Sequence, residues 1–286
     1  MNWQQLLSDQ RGNQGGNPGQ RSTRSAFEQD YDRVIFSHPF RRLQDKTQVH
    51  PLPEDDFVHT RLTHSLEVSS VGRSLGKKVG QVILERHENL SKNFDLHEIG
   101  GIVAAASLAH DIGNPPFGHS GEEAISEFFR SGKGSEYKAL VNELQWADLT
   151  QFEGNAQWFR FLNKSRYQGP RLTHATLAAF SKYPRQAVIK KANKKRRSQK
   201  KYGFFQSDKH TFKSIATSLG LNALEDYSWS RHPLAFLVEA ADDICYNLID
   251  LEDGCRLGLV MYHEAVDLFA AILGPRFKPQ KLQQIA

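Results

Sequence analysis

Apolar side chains recur at helical spacing through most of this chain. Over residues 62–86, Leu62, Leu66, Val71, Leu75, Val79, Val82 and Ile83 fall close to a 3.6-residue period, which predicts an amphipathic helix. Residues 97–110 read HEIGGIVAAASLAH, small and apolar on every side, and predict a buried helix. That helix breaks at the turn DIGNPPFGH. Ser120, with Glu123 three residues later, has the form of a capping box and predicts a helix that starts there. Residues 234–253, LAFLVEAADDICYNLIDLED, predict a further helix stopped by Gly254. No segment alternates convincingly with the period of a strand, and no internal repeat is visible. The expected fold is all-α: a helical bundle with additional helices and long loops. Residues 131–150 and 184–208 are expected to be the longest loops. The opening, MNWQQLLSDQRGNQGGNPGQ, is polar and Gly-rich, which predicts a mobile arm over residues 1–20 and one domain over 21–286.

A chain of 286 residues can bury a substantial core without disulfides. The only cysteines, Cys245 and Cys255, stand in no metal-binding or redox pattern, and no leader is recognisable. These features predict a reducing compartment, the cytoplasm. No apolar run reaches the roughly 18 residues of a membrane span, so no membrane partner is expected. The net charge of +5 comes from one place. Residues 190–201, KKANKKRRSQKK, hold eight Lys and Arg and no acid, which leaves the rest of the chain mildly acidic. Two readings of this tract stand side by side: a solvated loop, or a contact for a polyanion such as single-stranded DNA.

Chemistry enters at His110-Asp111, where the buried helix meets its turn. Side chains adjacent in a helix normally diverge, but at a helix end both can reach one ion. His64 lies near the start of the 62–86 helix. On the 234–253 helix, Asp242, Tyr246 and Asp250 are displaced by only about 40° per step, so they line one face. A polar stripe on a largely apolar helix is costly unless something pairs with it. Two imidazoles and two carboxylates suit a hydrolytic divalent ion with open positions. His119 and Glu122 form a second pair just beyond, in which a carboxylate could orient an imidazole for proton transfer.

These residues, with the blocks around them, resemble a known family. The order His64, His110-Asp111, Asp242 resembles the signature of HD-domain metal phosphohydrolases. The blocks FRRLQDKTQVHP, TRLTHSLEVSSVGRSL, LAHDIGNPPFGHSGE, FEGNAQWFR, LTHATLAAFSKYP and EAADDICYNLIDLEDG resemble, in order, the deoxyguanosinetriphosphate triphosphohydrolases. The resemblance runs from about residue 20 to 260. It implies an HD-type helical bundle with its metal site between residues 60 and 254, and a C-terminal part beyond residue 286. It implies hydrolysis of a deoxynucleoside triphosphate (dNTP), dGTP or several dNTPs, to deoxynucleoside and inorganic triphosphate. By similarity, His64, His110, Asp111 and Asp242 hold the metal, Mn²⁺ or Mg²⁺ first, with Fe²⁺, Co²⁺, Zn²⁺ and Ni²⁺ as alternatives. Asp242 is preferred to Asp243 because it shares a face with Tyr246 and Asp250, the positions that meet the sugar.

By the same similarity His119 is the catalytic acid/base and Glu122 its orienting partner. Arg61, Lys182, Tyr183 and Lys209 contact the triphosphate, Gln48 touches sugar and base, and Asn155 lines the pocket. A tyrosine and an aspartate under C2′ and C3′ would leave little room for a ribose 2′-hydroxyl. The resemblance also implies a homo-oligomer, a hexamer or tetramer, and a nucleotide effector. Two other readings stay open. One is a different HD-domain nucleotidase or phosphodiesterase. The other is a nucleic-acid-binding protein with a degenerate HD core.

Overall fold

The computed structural model describes residues 1–12, 23–49, 58–163, 170–190 and 195–276. Twelve α-helices run through these residues: α1 (Trp3–Leu6), α2 (Ala26–Ile35), α3 (His38–Arg41), α4 (Arg61–Arg86), α5 (Leu96–Ala109), α6 (Gly118–Arg130), α7 (Glu143–Thr150), α8 (Gly154–Asn163), α9 (His174–Phe180), α10 (Lys209–Ser218), α11 (Ala235–Arg256) and α12 (Tyr262–Leu273). The all-α expectation holds, with one addition. A short antiparallel pair, β1 (Ala223–Glu225) and β2 (Ser228–Trp229), turns through Tyr227. It is too short to give a strand period in the sequence.

The helix α5 is the centre of the bundle and packs against α2, α4, α9 and α11. Its start is fixed by a capping box between Asp95 and Glu98. From Ile99 onward all but one of its residues are buried, as its small apolar sequence demands. The longest helix, α4, begins at the N-cap Thr60, whose hydroxyl accepts from the Thr63 backbone. Its packing face differs from the expected one. Leu66 and Val82 are exposed, whereas Val68, Ser69, Gly72, Gly76 and Gly80 face inward. This stripe of small residues, four apart, lets α5 come close. A β-carbon added at Gly76 would stand only 2.9 Å from the Gly100 Cα. Close packing of the two helices sets the spacing of the imidazoles they carry, His64 on α4 and His110 at the end of α5.

Four other local expectations are corrected. Residues 1–12 are not a free arm: Leu6 and Leu7 are buried in the core, and the His232 ring bonds the Leu6 carbonyl. Residues 13–20 lie outside the described residues. The 131–150 stretch is structured as a 3-10 turn and then α7, which Asn142 and Gln145 cap reciprocally. Ser120 does not open a helix. The helix α6 starts at Gly118, after Phe117 in a left-handed backbone conformation, so Ser120 sits inside its first turn. Gly254 does not end α11, which continues to Arg256; a β-carbon on the glycine would stand 3.2 Å from Val260 Cγ2, so the residue serves a close approach inside the helix.

The basic region divides. Residues 191–194 lie outside the described residues. Its C-terminal end is fixed in the structure, because Tyr202, Phe204 and Phe205 are core residues. Among the described residues no helix is long and apolar enough to cross a membrane.

Candidate active site

The chain brings His64, His110, Asp111 and Asp242 together from three helices. Ligand atoms of His64, His110 and Asp111 lie within 4.8 Å of one another. Asp242 joins them from α11, with Oδ1 3.2 Å from His64 Nε2 and 3.3 Å from His110 Nε2. The two rings meet edge to face at 5.1 Å. His64, His110 and Asp111 are buried; Asp242 opens toward solvent.

The hydrogen bonds around this group point inward. His110 Nδ1 donates to the Ser107 carbonyl at 2.7 Å, so the neutral ring leaves Nε2 bare and facing the carboxylates. A bare nitrogen 3.3 Å from a carboxylate oxygen is repulsive unless a cation or proton lies between them. His64 Nδ1 is buried with no hydrogen-bond partner among the described residues. The outer carboxylate oxygens are already held. Arg61 Nη1 donates to Asp111 Oδ2 at 2.9 Å, and Lys182 Nζ donates to Asp242 Oδ2 at 2.5 Å. Asn114 Nδ2 donates to Asp111 Oδ1 at 2.6 Å. His64, His110 and Asp111 form a cluster that could hold a divalent ion, and Asp242 sets a further carboxylate beside them.

Electrostatics agree with a cation-seeking centre. Burial alone would lower the His110 pKa, but Asp111 and Asp242 raise it. Burial works in the opposite sense on Asp242, yet His110, His64 and Lys182 hold it well below the usual carboxylate range. Asp111 is likewise held low, by His110 and Arg61 against burial. Lys182 is raised despite its burial, chiefly by Asp242.

A cavity of about 700 Å³ opens over this centre. Of the expected residues, Gln48, Arg61, His119, Glu122 and Asn155 line it, as do Lys182, Tyr183 and Tyr246. Gln48 brings a buried side-chain oxygen with no partner among the described residues. The Asp250 carboxylate, one turn further along α11, raises the pKa of Tyr246. The two therefore share a face of α11, although Asp250 itself stands outside the cavity lining. His119 is exposed on the first turn of α6, presented by the left-handed Phe117-Gly118 turn.

Two assignments need correction. Glu122 does not hold His119. Its carboxylate accepts from the Gly154 backbone at 2.7 Å and pairs with Lys201 at 3.4 Å. The segment entering α8 thus supplies the backbone donor that Glu122 accepts from, and among the described residues no hydrogen bond joins Glu122 to His119. Lys209 is absent from the cavity lining. Its amine donates to Gln206 and lies over the Tyr227 ring, 5.1 Å from the centroid.

Lys201 enters the cavity instead, between Glu122 and Glu153, with the latter 3.2 Å away. Burial opposes its charge, but Glu153 and Glu122 raise its pKa. Glu153, for its part, is pushed up to about 6 by burial. Lys201 is the last cation of the basic tract, and the signal for it was available: Tyr202, Phe204 and Phe205 follow at once and must be buried. Asn114 and Ser107 were also missed, because neither carries a distinctive spacing.

Helical architecture and a His-His-Asp-Asp centre at the end of a buried helix define an HD-domain protein, and the HD domain family model matches residues 61–144. The chain is 46% identical over 278 residues to a deoxyguanosinetriphosphate triphosphohydrolase-like protein of Pseudomonas aeruginosa, covering 96% of this chain and 62% of the relative. A protein of the same description from Synechocystis sp. is 47% identical over 283 residues, covering 95% and 64%. A deoxyguanosinetriphosphate triphosphohydrolase of Enterobacter sp. is 37% identical over 257 residues, covering 79% and 49%. The chain belongs to the deoxyguanosinetriphosphate triphosphohydrolase family of HD-domain proteins. It spans about three fifths of the length of the first two relatives.

Proposed function

We propose that this chain carries the catalytic centre of a metal-dependent dNTP triphosphohydrolase, which cuts dGTP or several dNTPs into deoxynucleoside and inorganic triphosphate. The observation that carries the reading is the set of cations above the four-residue centre. Arg61, Lys182 and Lys201 all line one cavity, which matches the roughly four negative charges of a triphosphate. A monophosphate needs fewer.

A divalent ion, Mn²⁺ or Mg²⁺ first, bound by His64, His110, Asp111 and Asp242 would supply Lewis acidity to the α-phosphoryl group. The remaining work falls to the side chains. Arg61 and Lys182 leave the carboxylate oxygens they now hold for phosphate oxygens, and Lys201 meets the far end of the chain of phosphates. His119, exposed at the cavity wall, protonates the leaving 5′ oxygen. Glu122 acts through Lys201 and Gly154, shaping the wall beside His119. Tyr246, backed by Asp250, meets the sugar and leaves little space for a 2′-hydroxyl. Gln48, Asn155 and Tyr183 complete the pocket around base, sugar and phosphate. The same reading extends to a homo-oligomer in the cytoplasm, a nucleotide effector and a contact with single-stranded DNA.

The test is a panel of the four dNTPs with Mn²⁺ or Mg²⁺, with products separated by ion exchange. Inorganic triphosphate released by the wild type and lost in His119→Ala supports the reading. Orthophosphate as the first product, or equal behaviour of the two proteins, refutes it.

A further inference from the structure

Glu153 stands just before α8, where its backbone carbonyl accepts from the Ala156 and Gln157 amides at 3.1 and 3.2 Å. The start of the helix therefore fixes where its side chain begins. That side chain is largely buried. Its Oε2 receives both Asn155 Nδ2, at 3.2 Å, and the Lys201 ammonium, also at 3.2 Å. Glu153 does not line the active-site cavity. It lines a smaller hollow of about 390 Å³, which shares only His119 and Glu122 with the first. Seen from the active site, Glu153 lies behind Lys201.

The charges around it are unbalanced. Lys201 sits between two carboxylates, Glu153 and Glu122, so the three carry a net negative charge when all are ionised. Arg185 and Tyr202 also face Glu153. Arg185 Nη1 donates to the Gln186 and Ala187 carbonyls, and the Tyr202 phenol donates to the Asp148 carbonyl, its pKa pushed up by burial so that it stays neutral. Lys201 is thus the cation paired with Glu153 among the described residues.

The two carboxylates differ in what they keep once the ammonium turns to a phosphate. Glu122 keeps the Gly154 N–H at 2.7 Å. Among the described residues, Glu153 keeps the neutral amide of Asn155 alone. Burial already pushes Glu153 up to about 6, and Lys201 is the largest of the influences that oppose it. Withdrawing that ammonium raises the carboxyl further, and a polyanion in the next cavity acts in the same sense.

We propose that Glu153 is the positioning residue of Lys201: it holds the ammonium at the cavity wall and takes up a proton when the ammonium leaves it for a triphosphate. The proton goes from solvent to the Glu153 carboxylate, and the hollow on that side gives water a route to it. Lys201 stays charged throughout. Without the exchange, binding would leave a buried carboxylate unpaired beside a polyanion. The proposal rests on the triphosphohydrolase reading, because a triphosphate is what draws Lys201 away. Since the bound carboxyl titrates above the free one, binding tightens as pH falls from alkaline values toward about 6.

The test is calorimetric titration of inorganic triphosphate, with the same Mn²⁺ concentration in cell and syringe. It is run at about pH 7.5 in two buffers of different ionisation heat, which counts the protons bound per event. The wild type is expected to take up about half to one proton more than Glu153→Gln. Lys201→Met is expected to lose the same uptake, because its Glu153 is unpaired before binding, and to bind about tenfold more weakly or worse. A merely structural role for Glu153 would change affinity or melting temperature and leave the proton count alone. The comparison of wild type with Lys201→Met decides the matter even if Glu153→Gln does not fold. Weaker binding by Lys201→Met with the wild-type proton count overturns the exchange and leaves the triphosphate reading standing. Equal binding by wild type and Lys201→Met overturns both.

Discussion

Replacing Gly76 by alanine tests how the fold sets the site. The added methyl group would stand 2.9 Å from the Gly100 Cα and 3.0 and 3.1 Å from Val103 Cγ2 and Cβ. Non-bonded carbons sit best at about 3.5–4.0 Å, so α4 and α5 would have to separate by roughly half an ångström or more. The Gly100 backbone cannot rotate away. Overpacking of this kind costs about 1–3 kcal/mol, against roughly 1 kcal/mol that alanine gains over glycine in a helix. The expected result is net destabilisation of up to about 2 kcal/mol. Gly101, the neighbour of Gly100, gives the contrast: a β-carbon there would meet the Phe27 Cβ at 3.4 Å, an ordinary contact. Gly101→Ala is therefore expected to be neutral or to stabilise by up to about 1 kcal/mol. Urea unfolding with an unchanged slope reads both. The same displacement moves His64 relative to His110, so Mn²⁺ titration is expected to show weaker binding in Gly76→Ala and unchanged binding in Gly101→Ala. If Gly76→Ala is as stable as Gly101→Ala and binds the ion equally, close helix packing does not set the site.

Leu7→Ala is expected to cost about 2–5 kcal/mol, since Leu7 is fully buried; an unchanged urea midpoint would return residues 1–12 to the status of a free arm. Lys201→Met is expected to lower kcat/KM for dNTPs about ten- to hundred-fold, the worth of a charged hydrogen bond, whereas Lys209→Met leaves it near wild type. The reverse ranking would restore Lys209 to the site. His59 ties the start of α4 to the end of α11 through Asp253 at 2.8 Å, with Glu67 on its other nitrogen at 3.2 Å. Burial lowers its pKa, but Asp253 and Glu67 outweigh it, so the folded value lies above the ordinary 6.5. Its contribution is therefore complete below about pH 6.5 and lost as pH rises through the folded value. His59→Gln is expected to lower Tm more at pH 6 than at pH 8.5; parallel curves would contradict the clamp.

The legible parts of this chain were those with periodic or clustered signals. The buried helix α5 was readable because nearly every side chain in it is small and apolar, and its end supplied His110-Asp111. The stripe Asp242, Tyr246, Asp250 was readable from angular spacing alone. The face by which α4 meets α5 was not, because hydropathy ranks leucine and valine above the glycines that make the contact. Leu6 and Leu7 were overlooked for a related reason: two apolar residues in a polar, glycine-rich opening carry little weight until a core is there to receive them. The Glu122–His119 pair failed because local spacing cannot foresee a distant partner, and Gly154 and Lys201 arrive from 32 and 79 residues away. Lys209 was preferred to Lys201 for the same reason. A basic tract is read as a unit, although its last residue is anchored by the aromatic residues that follow.

The most direct test is to run the reaction in ¹⁸O-water with dGTP and Mn²⁺ and follow the products by ³¹P NMR and mass spectrometry. Attack on the α-phosphorus, with the 5′ oxygen leaving, predicts unlabelled deoxyguanosine and inorganic triphosphate carrying the label on a terminal phosphorus. Label in the deoxynucleoside, or labelled orthophosphate as the first product, would contradict it.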